Sequence, residues 1–194
     1  PHEARIMTHL LPSELPVELE AYAIDMALGA GAILNRHFGS PIEIEYKDKQ
    51  KQDPVTTADK ECQKYLAEAI SSRYPDHGIV GEEDKESVDS VAPDLVWVLD
   101  PLDGTKNYLS GLPVFACSIG VLYQGVPIVG AVYIPRLAQV GGVVMHARSG
   151  GGAFLEQERV AVSGGEEPDA QRLVGLPASF SAAFRPGKLL RDKV

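Results

Sequence analysis

The chain has 194 residues, enough to form one domain with a sizeable hydrophobic core, and its hydrophobic share of 44% argues against disorder. Acidic residues outnumber basic ones by 27 to 18, and the resulting net charge of −9 argues against binding to a nucleic-acid polymer through phosphate contacts. Because no apolar run approaches the roughly 18–20 residues that cross a bilayer and no signal-peptide pattern opens the chain, we expect a cytoplasmic protein that does not associate with membranes.

The first predicted element is a helix from residue 15 to about residue 38. Ile24, Leu28 and Leu34 recur there at nearly helical spacing, and Gly39 is placed to end the helix. The stretch 43–53 carries charges of both signs, and we interpret it as a strand followed by a mobile loop. The lysines between Lys47 and Lys51 are therefore either a solvated charged loop or part of a lid over a site.

A second helix is predicted over residues 57–74. Cys62, Leu66 and Ile70 recur every four residues on one face of it, and Pro75 ends it. Cysteines in such apolar surroundings are usually buried and reduced, and we expect this of Cys62 and Cys117.

After the second helix the pattern changes to short apolar runs separated by turn residues. These runs predict strands at 78–80, 95–99, 114–123, 126–134, 140–146 and 172–176. Only Gln124 and Gly125 separate the third run from the fourth, so we expect an antiparallel hairpin there. Two helices followed by a series of strands predict an α+β fold in layers.

Two acidic segments, 81–84 and 100–105, follow predicted strands. We expect the strand before Asp100 to end there and the chain to turn sharply at Pro101, which would direct Asp100 and Asp103 into one pocket. Carboxylate and carbonyl oxygens are the ligands that Mg²⁺ prefers.

The next residues predict an anion site. Gly104 and Thr105 are expected to begin a helical turn whose amide N–H groups suit a phosphate. Two carboxylates beside a phosphate would repel it unless cations lay between them, so the segment predicts a divalent cation together with a phosphate. Taken singly, each acidic motif is more often a solvated turn or a helix cap, and Asp59 by itself would indicate helix-start electrostatics.

These motifs in this order resemble the inositol monophosphatase family of lithium-sensitive, Mg²⁺-dependent sugar phosphatases. The segments that carry the resemblance are 53–59 (DPVTTAD), 78–83 (GIVGEE), 97–108 (WVLDPLDGTKNY), 113–134 and 150–154. The resemblance implies a layered α-β-α-β-α sandwich, in which two N-terminal helices lie on a large, mostly antiparallel sheet. We expect residues 1–194 to form the N-terminal portion of one such domain, because the family's following α/β half, with its Trp-Asp motif, has no counterpart here.

The resemblance also implies roles for individual residues. Two to three Mg²⁺ ions are expected on oxygen ligands from the two acidic segments: Glu82, Asp100, the carbonyl of Leu102, and Asp103. The substrate phosphate is expected at Asp103, Gly104 and Thr105. Thr105 and Asp59, assisted by Glu83, are expected to orient and help deprotonate a water that attacks phosphorus in line.

The function implied is hydrolysis of a small phosphorylated polyol or sugar, with inositol 1-phosphate favoured and a homodimer as the usual assembly of the family. Asn107-Tyr108 and the 118–120 strand favour the inositol phosphatases. The alternatives within the superfamily are fructose-1,6-bisphosphatase, 3′(2′),5′-bisphosphate nucleotidase and histidinol-phosphate phosphatase. A second alternative is a catalytically inactive relative that acts as a binding protein.

Overall fold

A computed structural model describes residues 12, 14–41, 44–46, 54–81, 93–136 and 141–161. All of these except Ala161 belong to one compact unit, Pro1–Val160. The predicted strand 172–176 and the stretch from Lys47 to Lys51 lie outside the described residues.

Helix α1 spans Leu15–His37, within one residue of its predicted end. The predicted apolar face is only partly confirmed: Leu34 is fully buried, but Leu28 is 46% exposed, and Ala23, Ala27 and Ala30 are fully buried instead. The small residues decide which face packs, since a Cβ at Gly31 would lie 2.3 Å from the Tyr133 ring of the sheet. An approach this close is possible only where the helix residue has no side chain.

A short ribbon and a second helix follow. Strands β1 (Ile44–Tyr46) and β2 (Pro54–Thr56) pair antiparallel, and helix α2 spans Thr57–Arg73. The predicted apolar face of α2 is confirmed, because Cys62, Leu66 and Ile70 are all fully buried. Strand β2 ends at Thr56 and α2 begins at the next residue, so the position of β2 fixes where this helix begins.

The remaining described chain forms a seven-stranded sheet in the order β3 to β9. Its strands are β3 Gly78–Gly81, β4 Leu95–Asp103, β5 Ala116–Tyr123, β6 Val126–Pro135, β7 Gly142–Arg148, β8 Gly152–Leu155 and β9 Glu158–Val160. β3 and β4 are parallel and all other neighbours are antiparallel, which confirms a mostly antiparallel sheet. At the predicted hairpin, Gln124 and Gly125 both have positive φ (48° and 80°), the geometry of a type I′ turn.

The end of strand β4 differs from the prediction. It does not end at Asp100 with a sharp turn at Pro101, but continues to Asp103. Pairing with β5 passes from Asp100 opposite Ser118 to Asp103 opposite Ala116, so β4 has one extra residue over this interval, which is a β-bulge. A bulge accommodates Pro101, which has no N–H to donate to the ladder.

The core lies between the two helices and one face of the sheet. Trp97, Tyr108 and Tyr133 are its largest fully buried side chains. Residues that point to the opposite face of the sheet are partly open, with Val98 and Met145 both 40% exposed. Among the described residues, no helix is both long enough and apolar enough to cross a membrane.

Candidate active site

The candidate site lies at the carboxyl end of β4, where the bulge interrupts the sheet. Asp100 is half-buried and Asp103 is exposed. Gly81, the last residue of the parallel strand β3, lies opposite Leu99, the residue before Asp100, and the first acidic segment follows it in the sequence. That segment contains Glu82 and Glu83, and both lie outside the described residues.

The turn after β4 requires glycine at position 104. Gly104 has φ +82° and ψ 33°, and a Cβ there would lie 2.8 Å from the carbonyl oxygen of Val114. The Asn107 side chain donates a hydrogen bond to the same carbonyl at 2.9 Å, which ties the following loop to the turn. Helix α3, Thr105–Leu109, begins directly after Gly104, as predicted.

Thr105 links the start of α3 back to the bulge. Its hydroxyl donates a hydrogen bond of 3.0 Å to the carbonyl oxygen of Leu102, the carbonyl that the sequence predicts as a metal ligand. A carbonyl oxygen has two lone pairs, so it can accept this bond and still serve another partner. The hydroxyl oxygen of Thr105 keeps its own lone pairs, with which it can accept a hydrogen bond from a water.

Asp59 is 3% exposed and lies in the first turn of α2. Its Oδ2 accepts hydrogen bonds from the Thr56 amide at 2.8 Å and the Thr56 hydroxyl at 2.6 Å. The Asp59 amide in turn donates to the Thr56 hydroxyl oxygen at 3.3 Å, which completes a reciprocal helix cap. Asp59 therefore has a structural role in addition to any catalytic one.

Asp59 lies close enough to Tyr108 of α3 for its charge to affect the pKa of the Tyr108 hydroxyl. Burial raises the pKa of the Tyr108 hydroxyl, and negative charge at Cys62 and Asp59 raises this pKa further. The hydroxyl donates a 2.6 Å hydrogen bond to the Leu34 carbonyl, which fixes α3 to the end of α1. The structure thus gathers Asp59 and the helix that carries Thr105 in one region.

Both cysteines are buried and free, as the sequence predicts. Burial raises the pKa of the Cys62 thiol to about 12, with smaller contributions from nearby acidic groups. Burial also raises the pKa of the Cys117 thiol, and the charges of Cys62 and Asp100 add to this effect. At neutral pH both are therefore protonated and poor nucleophiles.

The donor chemistry of the site fits a hard divalent cation. Asp100, Asp103 and the Leu102 carbonyl offer oxygen atoms only, which suits Mg²⁺ and disfavours zinc or copper. Within the described residues, no group of three or more acidic, histidine or cysteine side chains lies close enough to bind a metal ion. The described chain thus supplies part of a ligand set of the right chemistry.

Gln63 is a neighbour of the site that the sequence reasoning missed. Its amide group packs against the backbone of Gly81, and its Oε1 is buried with no hydrogen-bond partner in the described part of the chain. The available sequence signal was its position four residues after Asp59, which puts both side chains on one face of α2.

Comparison with known proteins gives a consistent result. The model of the inositol monophosphatase family matches residues 16–184. A fructose-1,6-bisphosphatase/inositol-1-monophosphatase of Aquifex aeolicus is 36% identical over 140 residues, covering 72% of this chain and 51% of the relative. An inositol-1-monophosphatase of Synechocystis is 36% identical over 163 residues, covering 84% of this chain and 54% of the relative.

Solved structures resemble the chain in the same way. The IMPase of Thermotoga maritima superposes with a TM-score of 0.63 at 31% identity, covering 74% of this chain and 53% of that one. The chain therefore spans about half the length of the relatives that it matches.

Proposed function

This chain belongs to the inositol monophosphatase family, and on that premise we propose that it acts in Mg²⁺-dependent hydrolysis of a small phosphorylated polyol or sugar, inositol 1-phosphate being the favoured substrate. The observation that carries the proposal is the run of oxygen donors at the end of β4, followed directly by the turn at Gly104 and the start of α3. A cation site next to backbone amides is the arrangement that a phosphate ester needs.

The proposed cation ligands are Asp100, Asp103 and the Leu102 carbonyl, together with Glu82, for two to three Mg²⁺ ions. Bound Mg²⁺ would supply a Lewis acid that lowers the pKa of water and offsets the charge of the phosphate. The hydrogen bond from Thr105 to Leu102 supports this assignment, because it restricts the direction in which the carbonyl can point.

The chain's own groups would hold and orient the reactants. The amides of Gly104 and Thr105, beside Asp103, would bind the phosphate oxygens. The Thr105 hydroxyl and the carboxylate of Asp59, with Glu83, would orient the attacking water and receive its proton. The rigid cap around Asp59 supports this role, since a base held by two hydrogen bonds reorganises little during reaction.

The choice of substrate rests on the relatives. Their names include inositol 1-monophosphate and fructose 1,6-bisphosphate phosphatases. Asn107 and Tyr108, which the sequence associates with inositol phosphatases, bond to the carbonyls of Val114 and Leu34. These bonds stabilise the turn and α3, so these two residues do not by themselves select one sugar.

A homodimer is proposed as the assembly. Leu112 and Val114 are 52% and 67% exposed in the loop that follows α3, and an interface between two copies would remove this apolar surface from water. Light scattering of the purified chain measures the oligomeric state. A monomer at all concentrations would contradict this part of the proposal.

The function is tested by phosphate release from inositol 1-phosphate, with Mg²⁺ and with a chelator. Fructose 1,6-bisphosphate and 3′-phosphoadenosine 5′-phosphate serve as parallel substrates. Asp103→Asn removes one carboxylate charge at the proposed cation site, and we expect it to lower kcat/KM at least about 100-fold. Asp94→Asn, at the opposite end of β4, is the matched control and should retain activity. Equal activity of the two variants would contradict the proposed ligands.

A further inference from the structure

The side chain of Gln63 occupies the space that a side chain at Gly81 of β3 would fill. A Cβ at Gly81 would lie 2.0 Å from Nε2 of Gln63 and 2.8 Å from its Oε1. The glycine at position 81 therefore makes room for the amide group, which is wedged between α2 and the end of β3. Gly81 is also the residue from which the first acidic segment starts.

An apolar side chain would fill this place equally well, so the polar amide needs another explanation. Oε1 of Gln63 is shielded from solvent, and within the described ranges no donor lies within hydrogen-bond distance of it. A buried carbonyl oxygen without a donor destabilises the fold. A donor that reaches this oxygen, such as a water, would remove that cost.

The neighbourhood identifies a suitable donor. Gln63 follows Asp59 by one helical turn, so their Cβ atoms are about 5–6 Å apart on one face of α2. A water between two such groups finds the two to four polar partners that hold a buried water in place. Asp59 is also the proposed partner of the attacking water. A water between Gln63 and Asp59 would therefore belong to the same site as the attacking water.

We propose that Gln63 is a positioning residue of the candidate active site. Its amide oxygen accepts a hydrogen bond from ordered water of the site, and its amide group holds the end of β3 against α2. Through these two contacts it fixes the position of Gly81, the last residue of β3, relative to Asp59 and Asp100. This inference rests on the proposed function and deepens it.

The test compares Gln63→Leu with Lys64→Leu, the adjacent residue on the exposed side of α2, whose side chain is 73% exposed. Isothermal titration calorimetry measures Mg²⁺ affinity, and thermal unfolding without metal measures stability. We expect Gln63→Leu to weaken Mg²⁺ binding about tenfold, in the range known for groups that support metal ligands. We expect its metal-free Tm to equal or exceed that of the wild type, because an unsatisfied buried acceptor has been removed.

Gln63→Glu keeps an acceptor oxygen of the same reach and should recover most of the Mg²⁺ affinity, while Lys64→Leu should change neither measurement. A lower Tm for Gln63→Leu with unchanged Mg²⁺ affinity would show a purely structural residue and overturn the inference alone. A wild-type chain that neither binds Mg²⁺ nor releases phosphate would overturn the proposed function, and the inference would fall with it.

Discussion

Gly104 is the residue whose identity the backbone near the site dictates most strictly. Its positive φ disfavours any side chain, and the Val114 carbonyl blocks the space that a Cβ would need. Gly111 has a similar φ of +72°, but nothing lies within 4 Å of its Cβ position. Substitution of Gly111 therefore tests backbone strain alone, whereas substitution of Gly104 tests strain together with the steric contact.

We expect Gly104→Ala to lower the rate of phosphate release about 100-fold, since a displacement of about 1 Å in a binding turn has effects of that size. Gly111→Ala should lower stability slightly through backbone strain and leave the rate nearly unchanged. Steady-state kinetics with thermal unfolding of both variants measure this difference. Similar losses of rate in both variants would mean that strain alone, and not the contact with Val114, explains the effect.

At the scale of elements, aromatic side chains join α1, the end of α2, and the strands β3 and β4. The Trp97 indole donates a 3.0 Å hydrogen bond to Nδ1 of His77, and the His77 ring stacks on Tyr74 with a centroid distance of 4.6 Å. Tyr22 of α1 meets both Tyr74 and Trp97 edge to face. This cluster lies at the start of β4, and the candidate site lies at its other end.

The cluster predicts a dependence of stability on pH. Burial lowers the pKa of His77, partly opposed by Asp76, so the folded chain binds a proton at His77 less readily than the unfolded chain does. The stabilisation from neutral His77 is present above the unfolded pKa of about 6.5 and is lost as the pH falls below it. Protonated Nδ1 could also no longer accept the Trp97 hydrogen bond.

Urea unfolding at pH 7.5 and pH 5.5 measures this effect in the wild type and in His77→Gln, which does not titrate. The wild type should lose more free energy of unfolding between the two pH values than the variant loses. The same loss in both proteins would assign the pH dependence to other groups.

The elements also show where sequence patterns suffice. The face of α2 was predictable because three large apolar side chains mark it at regular spacing. The face of α1 was only partly predictable, because small residues pack there beside Leu34, and the need for glycine at position 31 arises from Tyr133 on a distant strand. The bulge in β4 depends on register with β5, which the sequence of β4 alone does not contain.

At the scale of the whole molecule, the reactivity of Cys62 in α2 and Cys117 in β5 measures how often the core between the helices and the sheet opens. Both are fully buried, and burial raises the pKa of both thiols. We expect a thiol reagent at pH 8 to modify the native chain at least about 100-fold more slowly than the chain in urea, because modification requires opening of the core. Mass spectrometry of the two peptides over time measures this, and rapid modification of either cysteine in the native chain would contradict the described packing.

The sequence alone determined the two helices, most of the strands and the family, because hydrophobic periodicity and short motifs are local properties of the chain. It also identified Asp59, Asp100 and the turn at Gly104 as candidates, since strand ends and helix starts carry recognisable residues. The tertiary structure alone decided that Asp59 is held by a reciprocal cap, that β4 bulges at Pro101, and that the amide of Gln63 lies against Gly81. Each of these depends on the close approach of atoms in space, and for Gln63 the two residues are 18 positions apart. Periodicity within one element carries no record of such contacts.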